Sequence, residues 1–381
     1  MAMAARETAA PRSILVRSVN WLGDAVMTTP ALRRLRERFP DARITLLTRE
    51  KLAGLWRDQP VVDQVMAIGP KESTWTVGRR LQRENFELAI ILPNSLRSAF
   101  EAWVARIPAR IGFGGAWRDW LLTRRVERPS GQVRMIKRTT ADVRRRIRGD
   151  KPRQTWPLTA HHVHTYLVLV QAAGASAEIL PPALVVNRET VREVVDKFGL
   201  GGAMPGARPL FGLNPGAEYG PAKRWPAERF IAAAREVQER TECVWLLTGG
   251  AGDVPAAQLI EQRLKAAGVP VRNLAGRTSL RELCALLSLC RVYLTNDTGP
   301  MHLAAAVGVS VVAPFGSTSP ELTGPGLPGD PRHRLLTVND VGCAPCFRRS
   351  CPIDFRCMQR LPVEQITRAL LELAAPRRGG G

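Results

Sequence analysis

The chain has 381 residues, 45% apolar and 23% charged, the balance of a soluble globular protein long enough for two domains with separate cores. Its 55 Lys and Arg against 34 Asp and Glu give a formal charge of +21, which favours anionic partners such as nucleic acid, phosphorylated lipid or a membrane surface. The longest apolar stretches, such as 303–315, stop short of the ~20 residues of a membrane-spanning helix, and the first residues, MAMAARETAAPR, show no secretory h-region. These features point away from a spanning helix and a signal peptide, so a cytoplasmic protein with at most peripheral attachment to a membrane is expected.

In the first half, short apolar runs predict strands at 14–19 (ILVRSV), 43–48, 64–68, 87–92 and 110–113. Segments of 3.6-residue period separate them, as in Ala31, Leu32, Leu35 and Phe39. Strands too apolar to be half exposed, alternating with helices, predict a parallel sheet covered on both faces.

The stretch NWLGDAVMTTPALRRL (20–35) follows the first strand and places Asp24 after a permissive Gly23. Two readings stand for this carboxylate. It caps the following helix by accepting amide bonds, or it is a general base at a strand end, taking a proton from a nucleophile.

From Arg124 to Arg153 twelve residues are basic and three acidic. The segment 124–160 lacks apolar periodicity and is expected to be a loop with a short helix at most. A helix is expected from about His161 to Ala173, and the Gly- and Pro-rich stretch 198–209 is the expected linker.

The second half repeats the alternation, with strands at 210–214, 243–249, 271–276, 291–296 and 310–315. Helices lie near 226–238, 254–267, 279–289 and 299–307, and a last one near 362–374. The predicted fold is therefore α/β, two Rossmann-like doubly wound domains facing a cleft. The N-terminal domain spans 13–180, the C-terminal domain 205–360 and a terminal helix 361–377.

Ligands of such sheets bind beyond the carboxyl ends of strands, where helix N-termini point their dipoles. The stretch NPGAEYGPAKRWPAERF (214–230) follows the first strand of the second half, and its Lys223 beside a helix start suits a diphosphate. A solvated loop lysine is the alternative. In TNDTGPMHLAAAVG (295–308), Asp297, Thr298 and Gly299 form a turn whose hydroxyl and amides can grip phosphate oxygens, with His302 one turn on. A structural role for His302 is the alternative there. Neither GxxxxGK[ST] nor GxGxxG occurs.

Four of the seven cysteines, Cys343, Cys346, Cys351 and Cys357, fall in the spacing C-x₂-C-x₄-C-x₅-C. Disulfides are not expected in a cytosolic chain. A tetrahedral metal site and a set of buried free thiols both fit, so no metal is assigned.

The stretches NWLGDAVMTTPALRRLRERFPDARITLL, LPNSLRSAF, NPGAEYGPAKRWPAERF, TNDTGPMHLAAAVGVSVVAPFGSTSPELTGP and CAPCFRRSCPIDFRCMQRL resemble the lipopolysaccharide heptosyltransferases. Within them they most resemble the heptosyltransferase II branch. The resemblance runs from about 13 to 375 and leaves the basic insert without a counterpart. It implies a glycosyltransferase-B fold, with acceptor on the N-terminal domain and nucleotide-sugar on the C-terminal one. It also implies inverting transfer of heptose from an ADP-activated donor to an inner-core heptose of lipid A–core. By the same resemblance Asp24 is the catalytic base. Lys223, Asp297, Thr298, Gly299 and His302 bind the donor, with Asp253 at the ribose and Thr278 and Ser279 at the adenine.

Inversion in one displacement needs one base, and Lys223 with the amides at 298–299 would stabilise the departing diphosphate. No cofactor or metal is then required, although a weakly held Mg²⁺ stays open. On the acceptor side, Asn94, Ser95 and Arg97 of the NSLRS turn, with Arg110 beside the next strand, suit an anionic, phosphate-bearing sugar. The basic segment is expected to lie toward that acceptor or an anionic membrane surface. Two other readings remain: a related transferase using another sugar nucleotide or acceptor, and a nucleic-acid-binding protein suggested by charge alone. The latter predicts stacking aromatics, and 124–153 has no Phe, Tyr or Trp, so nucleic acid is not expected as a partner.

Overall fold

The computed structural model describes residues 10–115, 117–129, 131–201 and 208–375. The expected linker at 198–209 therefore lies partly outside the described residues, as do residue 205, the expected start of the second domain, and the last residues of 361–377.

The chain divides into two units, one of residues 1–130 with 163–179 and the other of 131–162 with 180–381. In the first, β1 (Ser13–Arg17), β2 (Arg43–Arg49), β3 (Gln64–Ile68), β4 (Leu88–Ile91), β5 (Ala109–Phe113) and β6 (Arg124–Val126) form one sheet. Its order is β3-β2-β1-β4-β5-β6, every pairing parallel. β1 and β4 lie at the centre, in register Val16 to Ile90, and Ile14, Leu15, Val16 and Leu88 to Ile91 are all buried. Covering both faces explains why these strands read as unbroken apolar runs.

The second sheet contains β7 (Leu210–Asn214), β8 (Val244–Leu247), β9 (Val271–Asn273), β10 (Cys290–Thr295), β11 (Ser310–Phe315) and β12 (His333–Thr337). Its order, β12-β11-β10-β7-β8-β9, places the first and fourth strands of this half side by side, as β1 and β4 are in the other. In each sheet the strand order reverses at that central pair, the topological switch point where α/β sheets take their ligands. β6 and β12 were not expected. Each is an edge strand with a single neighbour, and such strands tolerate polar residues that hide the apolar pattern.

The first domain expected at 13–180 ends close to where the observed first unit does, at 179, but residues 131–162 fall in the other unit. Helix 140–148 of the basic segment buries Val143 in the second unit's core, with Ile147 packed against it. The Arg138 amide donates to the Cys346 carbonyl at 2.9 Å and the Gln154 amide to that of Ala344 at 3.1 Å. Arg153, buried, holds the Glu321 carboxylate with two bonds of 2.8 and 3.1 Å. Residues 131–162 therefore belong to the second unit, and the chain returns to the first for helix 163–171, which packs on helix 29–38. Helix 363–374 buries Ile366 and Leu370 in the second core, so it completes that domain.

Candidate active site

In the first unit the candidate residues converge beyond the carboxyl ends of β1 and β4. A loop of four residues leads from β1 to helix 22–27, whose N-cap is Trp21, with no side-chain cap bond. Asp24 is the third residue of that helix. The capping role is therefore not the one it fills. Its carboxylate accepts a hydrogen bond from the hydroxyl of Tyr166 on helix 163–171. Burial, and next the adjoining Asp24 charge, hold the Tyr166 phenol well above its ordinary value. Tyr166 thus stays a protonated donor at any working pH. Nothing in the local sequence marks Tyr166, because its meeting with Asp24 depends on how one helix lies against another.

The NSLRS turn follows β4. Asn94 is exposed, and Ser95 caps helix 96–104 by accepting the Ser98 amide at 3.2 Å. Arg97 is partly exposed and anchored by two bonds, to Glu101 Oε1 at 2.9 Å and to the Glu72 carbonyl at 2.7 Å. The other oxygen of Glu101 takes Arg17 Nε at 2.7 Å with both side chains buried. One buried carboxylate therefore joins the end of β1 to the turn after β4.

Arg110 is not brought to this group. It is the second residue of β5, paired with Ala89 near the start of β4, at the amino rather than the carboxyl edge of the sheet. Its guanidinium donates to the carbonyls of Ile107 and Leu121. The expectation failed because proximity to a strand in sequence does not say which strand end a residue occupies.

Sequence reasoning also missed Arg118. Its guanidinium packs over Gly112, the partner of Ile91 at the carboxyl end of β4. It donates to the Pro93 carbonyl at 3.0 Å, just before Asn94. The side chain is 3% exposed, its Nε and second terminal nitrogen have no hydrogen-bond partner among the described residues, and burial lowers its pKa. A buried cation short of acceptors suits an anion arriving from outside.

In the second unit the site lies beyond β7 and β10. Asn214, at the end of β7, accepts the Gly216 amide at 2.8 Å. Asn296, fully buried after β10, donates to the Pro215 carbonyl at 2.8 Å and accepts the Trp225 amide at 2.9 Å. Asn214 shapes its own turn, and Asn296 fastens the two loops together. Gly216 itself is forced: a Cβ there would lie 2.2 Å from the Asp253 carboxylate. Asp253, which also accepts the Gly250 amide at 3.0 Å, is thereby brought to this turn.

Lys223 ends a 3-10 turn at 221–223, and its Nζ lies 2.6 Å from Asp297 Oδ2 and 5.0 Å from the Tyr219 ring centroid. The same Asp297 oxygen accepts the Thr318 hydroxyl at 2.5 Å. Thr318 was not foreseen, although GSTSPE follows β11 as directly as TNDTG follows β10. Thr298, half-buried, is the N-cap of helix 299–306 and makes no side-chain cap bond. Pro300 has no amide and that of Met301 goes to the Thr298 carbonyl at 3.1 Å, so the Thr298 hydroxyl and the Gly299 amide are the donors this helix start offers next to the Lys223–Asp297 pair. This is an anion-binding arrangement.

His302, 5% exposed, is pushed down to about 4, chiefly by burial and further by Lys223 and His333 against the opposing pull of Asp297. It is neutral at pH 7. Thr278 follows β9 at the same edge of the sheet, whereas the Ser279 hydroxyl is engaged as the cap of helix 280–288, accepting the Glu282 amide at 3.3 Å. The four clustered cysteines line one cavity of about 10 Å³, and all are free. Among the described residues no group of three or more His, Cys, Asp or Glu is arranged to hold a metal ion.

A sequence model of glycosyltransferase family 9 (heptosyltransferase) matches residues 74–355. The chain is 31% identical to lipooligosaccharide heptosyltransferase 2 of Haemophilus influenzae over 327 residues, covering 82% of this chain and 86% of the relative. It is also 31% identical to lipopolysaccharide heptosyltransferase 2 of Escherichia coli K12, covering 82% and 85%. The solved structure of E. coli ADP-heptose lps heptosyltransferase II superposes with a TM-score of 0.73 at 26% identity, covering 95% of this chain and 98% of that one. The paired Rossmann-like sheets are those of the glycosyltransferase-B fold.

Proposed function

This chain belongs to glycosyltransferase family 9, the heptosyltransferases, and on that premise we propose how its residues divide the work. The enzyme is a glycosyltransferase with a heptose-transfer role in lipopolysaccharide core biosynthesis. In the proposed reaction the donor is ADP-heptose and the acceptor an inner-core heptose of lipid A–core. The acceptor hydroxyl attacks the anomeric carbon from the face opposite the diphosphate. The C–O bond to ADP breaks with its electron pair going to the phosphate oxygen, the new glycosidic bond forms, and Asp24 takes the hydroxyl proton. One displacement inverts the anomeric centre and needs a single base.

On the donor side, Lys223 and the amides of Thr298 and Gly299 receive the charge that develops on the leaving diphosphate. Asp297 and Thr318 fix Lys223 for this purpose, and neutral His302 lends a hydrogen bond without adding charge. Asp253 and Thr278 stand at the outer turns for the nucleoside. With Lys223 carrying the phosphate charge, the reaction needs no cofactor. The observation that carries this reading is the meeting of Lys223, Asp297 and a helix N-terminus at the switch point of the second sheet. On the acceptor side, Asn94, Arg97 and Arg118 face the sugar and its anionic groups.

The acceptor is lipid-linked in this reading, so the enzyme works against an anionic membrane face. The exposed indoles of Trp117 and Trp120, 84% and 62% accessible, beside Arg124 and Arg125 are suited to that interface. Among the described residues no helix is long and apolar enough to cross a membrane.

The deciding assay is transfer of heptose from ADP-heptose to a heptose-bearing lipid A acceptor, wild type beside Asp24→Asn. Transfer by the wild type and a near-silent variant that still binds ADP support the assignment. Wild type that binds ADP but transfers nothing refutes the proposed substrates, and a fully active variant refutes the base.

A further inference from the structure

The basic insert, which the site above does not use, builds a groove of its own on the second unit. Eleven side chains from between residues 133 and 156, with Phe347, line a cavity of about 440 Å³ that six cations face: Arg134, Lys137, Arg138, Arg145, Arg146 and Lys151. One carboxylate, Asp142, shares it, and that group is committed to capping helix 140–148 with Thr139 and to Arg145 at 2.5 Å. Among the described residues no carboxylate pairs with Arg134, Lys137, Arg146 or Lys151.

Two of the cations are held in place. Arg138 donates to the Pro345 carbonyl at 2.9 Å and to Gln154 at 2.6 Å, and Arg146 to the Gly342 carbonyl at 2.5 Å. Partial burial of Arg138 and the nearness of Arg146 both lower its pKa, the mark of cations brought together without enough counter-charge. Backbone carbonyls therefore fix guanidinium groups side by side at an unneutralised concave surface. A flat lipid surface needs no such fixing, whereas a discrete ligand with phosphate groups does.

The groove adjoins the donor site. Trp156 packs against Phe347 with ring centroids 5.9 Å apart, and the Phe347 carbonyl accepts the Tyr219 hydroxyl at 2.8 Å. The Tyr219 ring in turn lies under Lys223 Nζ.

We infer that the groove of Arg134, Lys137, Arg138, Arg146 and Lys151 is a subsite for phosphate groups borne by the acceptor glycan, separate from the site of the donor diphosphate. The inference rests on the heptose-transfer reading for the identity of the glycan, but its binding step can be measured without transfer.

The test variant is the triple Arg134→Gln, Lys137→Gln, Lys151→Gln. These side chains are exposed and without side-chain partners among the described residues, so the fold survives their loss. The control is Arg144→Gln with Arg148→Gln, exposed on helix 140–148, next to the groove in sequence but outside it. The ligand is a deacylated, phosphate-bearing lipid A–heptose glycan, followed by calorimetry with and without prior phosphatase treatment. The triple variant is expected to bind the phosphorylated glycan about ten- to a hundredfold more weakly, with ADP-heptose affinity unchanged and the control close to wild type. Phosphatase treatment should bring wild type down to the variant.

Equal affinity in wild type and triple variant overturns the subsite. So does an equal loss in the control, which would make the effect one of net charge. If the variant fails only in sedimenting with phosphatidylglycerol vesicles and binds the glycan normally, the groove is a membrane contact instead. A wild type that binds the glycan in the groove but transfers no heptose would sink the transfer reading and leave the subsite standing.

Discussion

The hydroxyl of Tyr166 donates to the carboxylate of Asp24, joining a helix of residues 163–171 to the first turn after β1. Tyr166 does not touch the reacting atoms; it is a positioning residue. Tyr166→Phe is expected to lower kcat about tenfold, the worth of one hydrogen bond to a charged group, while Asp24→Asn costs about a hundredfold or more. A carboxylate that loses a donor holds its proton more tightly, so the acid limb of the Tyr166→Phe rate profile should move to higher pH. An unmoved limb would mean the tyrosine serves packing alone.

If Lys223 holds the diphosphate as proposed, Lys223→Ala should raise KM for the nucleotide sugar and lower kcat/KM about a hundredfold, leaving acceptor KM near its original value. The free variant should also be slightly less stable, because Asp297 loses its ion pair at 2.6 Å. Steady-state kinetics with each substrate varied separately checks this.

Gly216→Ala is expected to weaken ADP binding about tenfold with little loss of acceptor binding. The added methyl would meet the Asp253 carboxylate at 2.2 Å, and either that side chain or the turn between β7 and Lys223 must move. Isothermal titration with ADP reads the effect. Wild-type affinity would show that the turn gives way without consequence.

Arg118→Met replaces a buried, under-satisfied cation with an apolar chain of similar length. Stability should hold or rise, as it often does when a buried charge is removed, while acceptor KM rises about tenfold or more. A gain in urea midpoint together with a loss of acceptor affinity would mark a group kept for function. A loss of stability with unchanged KM would make Arg118 structural.

His302 and His333 are both buried and held at about 4, below the ordinary 6.5. Between these values the unfolded chain binds more protons than the folded one, so stability is complete above pH 6.5 and falls as the pH drops toward 4. At about 1.4 kcal/mol per pH unit the loss is of order 3 kcal/mol for each. Urea midpoints from pH 7.5 to 4.5 should fall steeply, and His302→Gln should flatten the slope. A slope unchanged in that variant would mean His302 titrates normally.

What the sequence determined by itself was the local and repetitive part. Apolar runs such as Ile14 to Val16 and Leu88 to Ile91 are legible as buried parallel strands because both sheet faces are covered. The donor turns at Lys223 and Asp297 are legible because they follow strands directly. The edge strands β6 and β12 were not, since one neighbour leaves little apolar pattern to read.

Tertiary structure decided whatever depends on which surfaces meet. It freed Asp24 from capping and gave it Tyr166, put Arg110 at the far edge of its sheet, set Arg118 against the Pro93 carbonyl, and tied the basic segment from residue 131 on to the second unit through buried Val143, the backbone bonds of Arg138 and Gln154 and the Arg153–Glu321 pair. Asp24 with Tyr166, Arg118 with Pro93, the strand pairing of Arg110 with Ala89 and the anchoring of the basic segment all join residues well separated in the chain, fixed by packing rather than by period or spacing, and so no local pattern carried them.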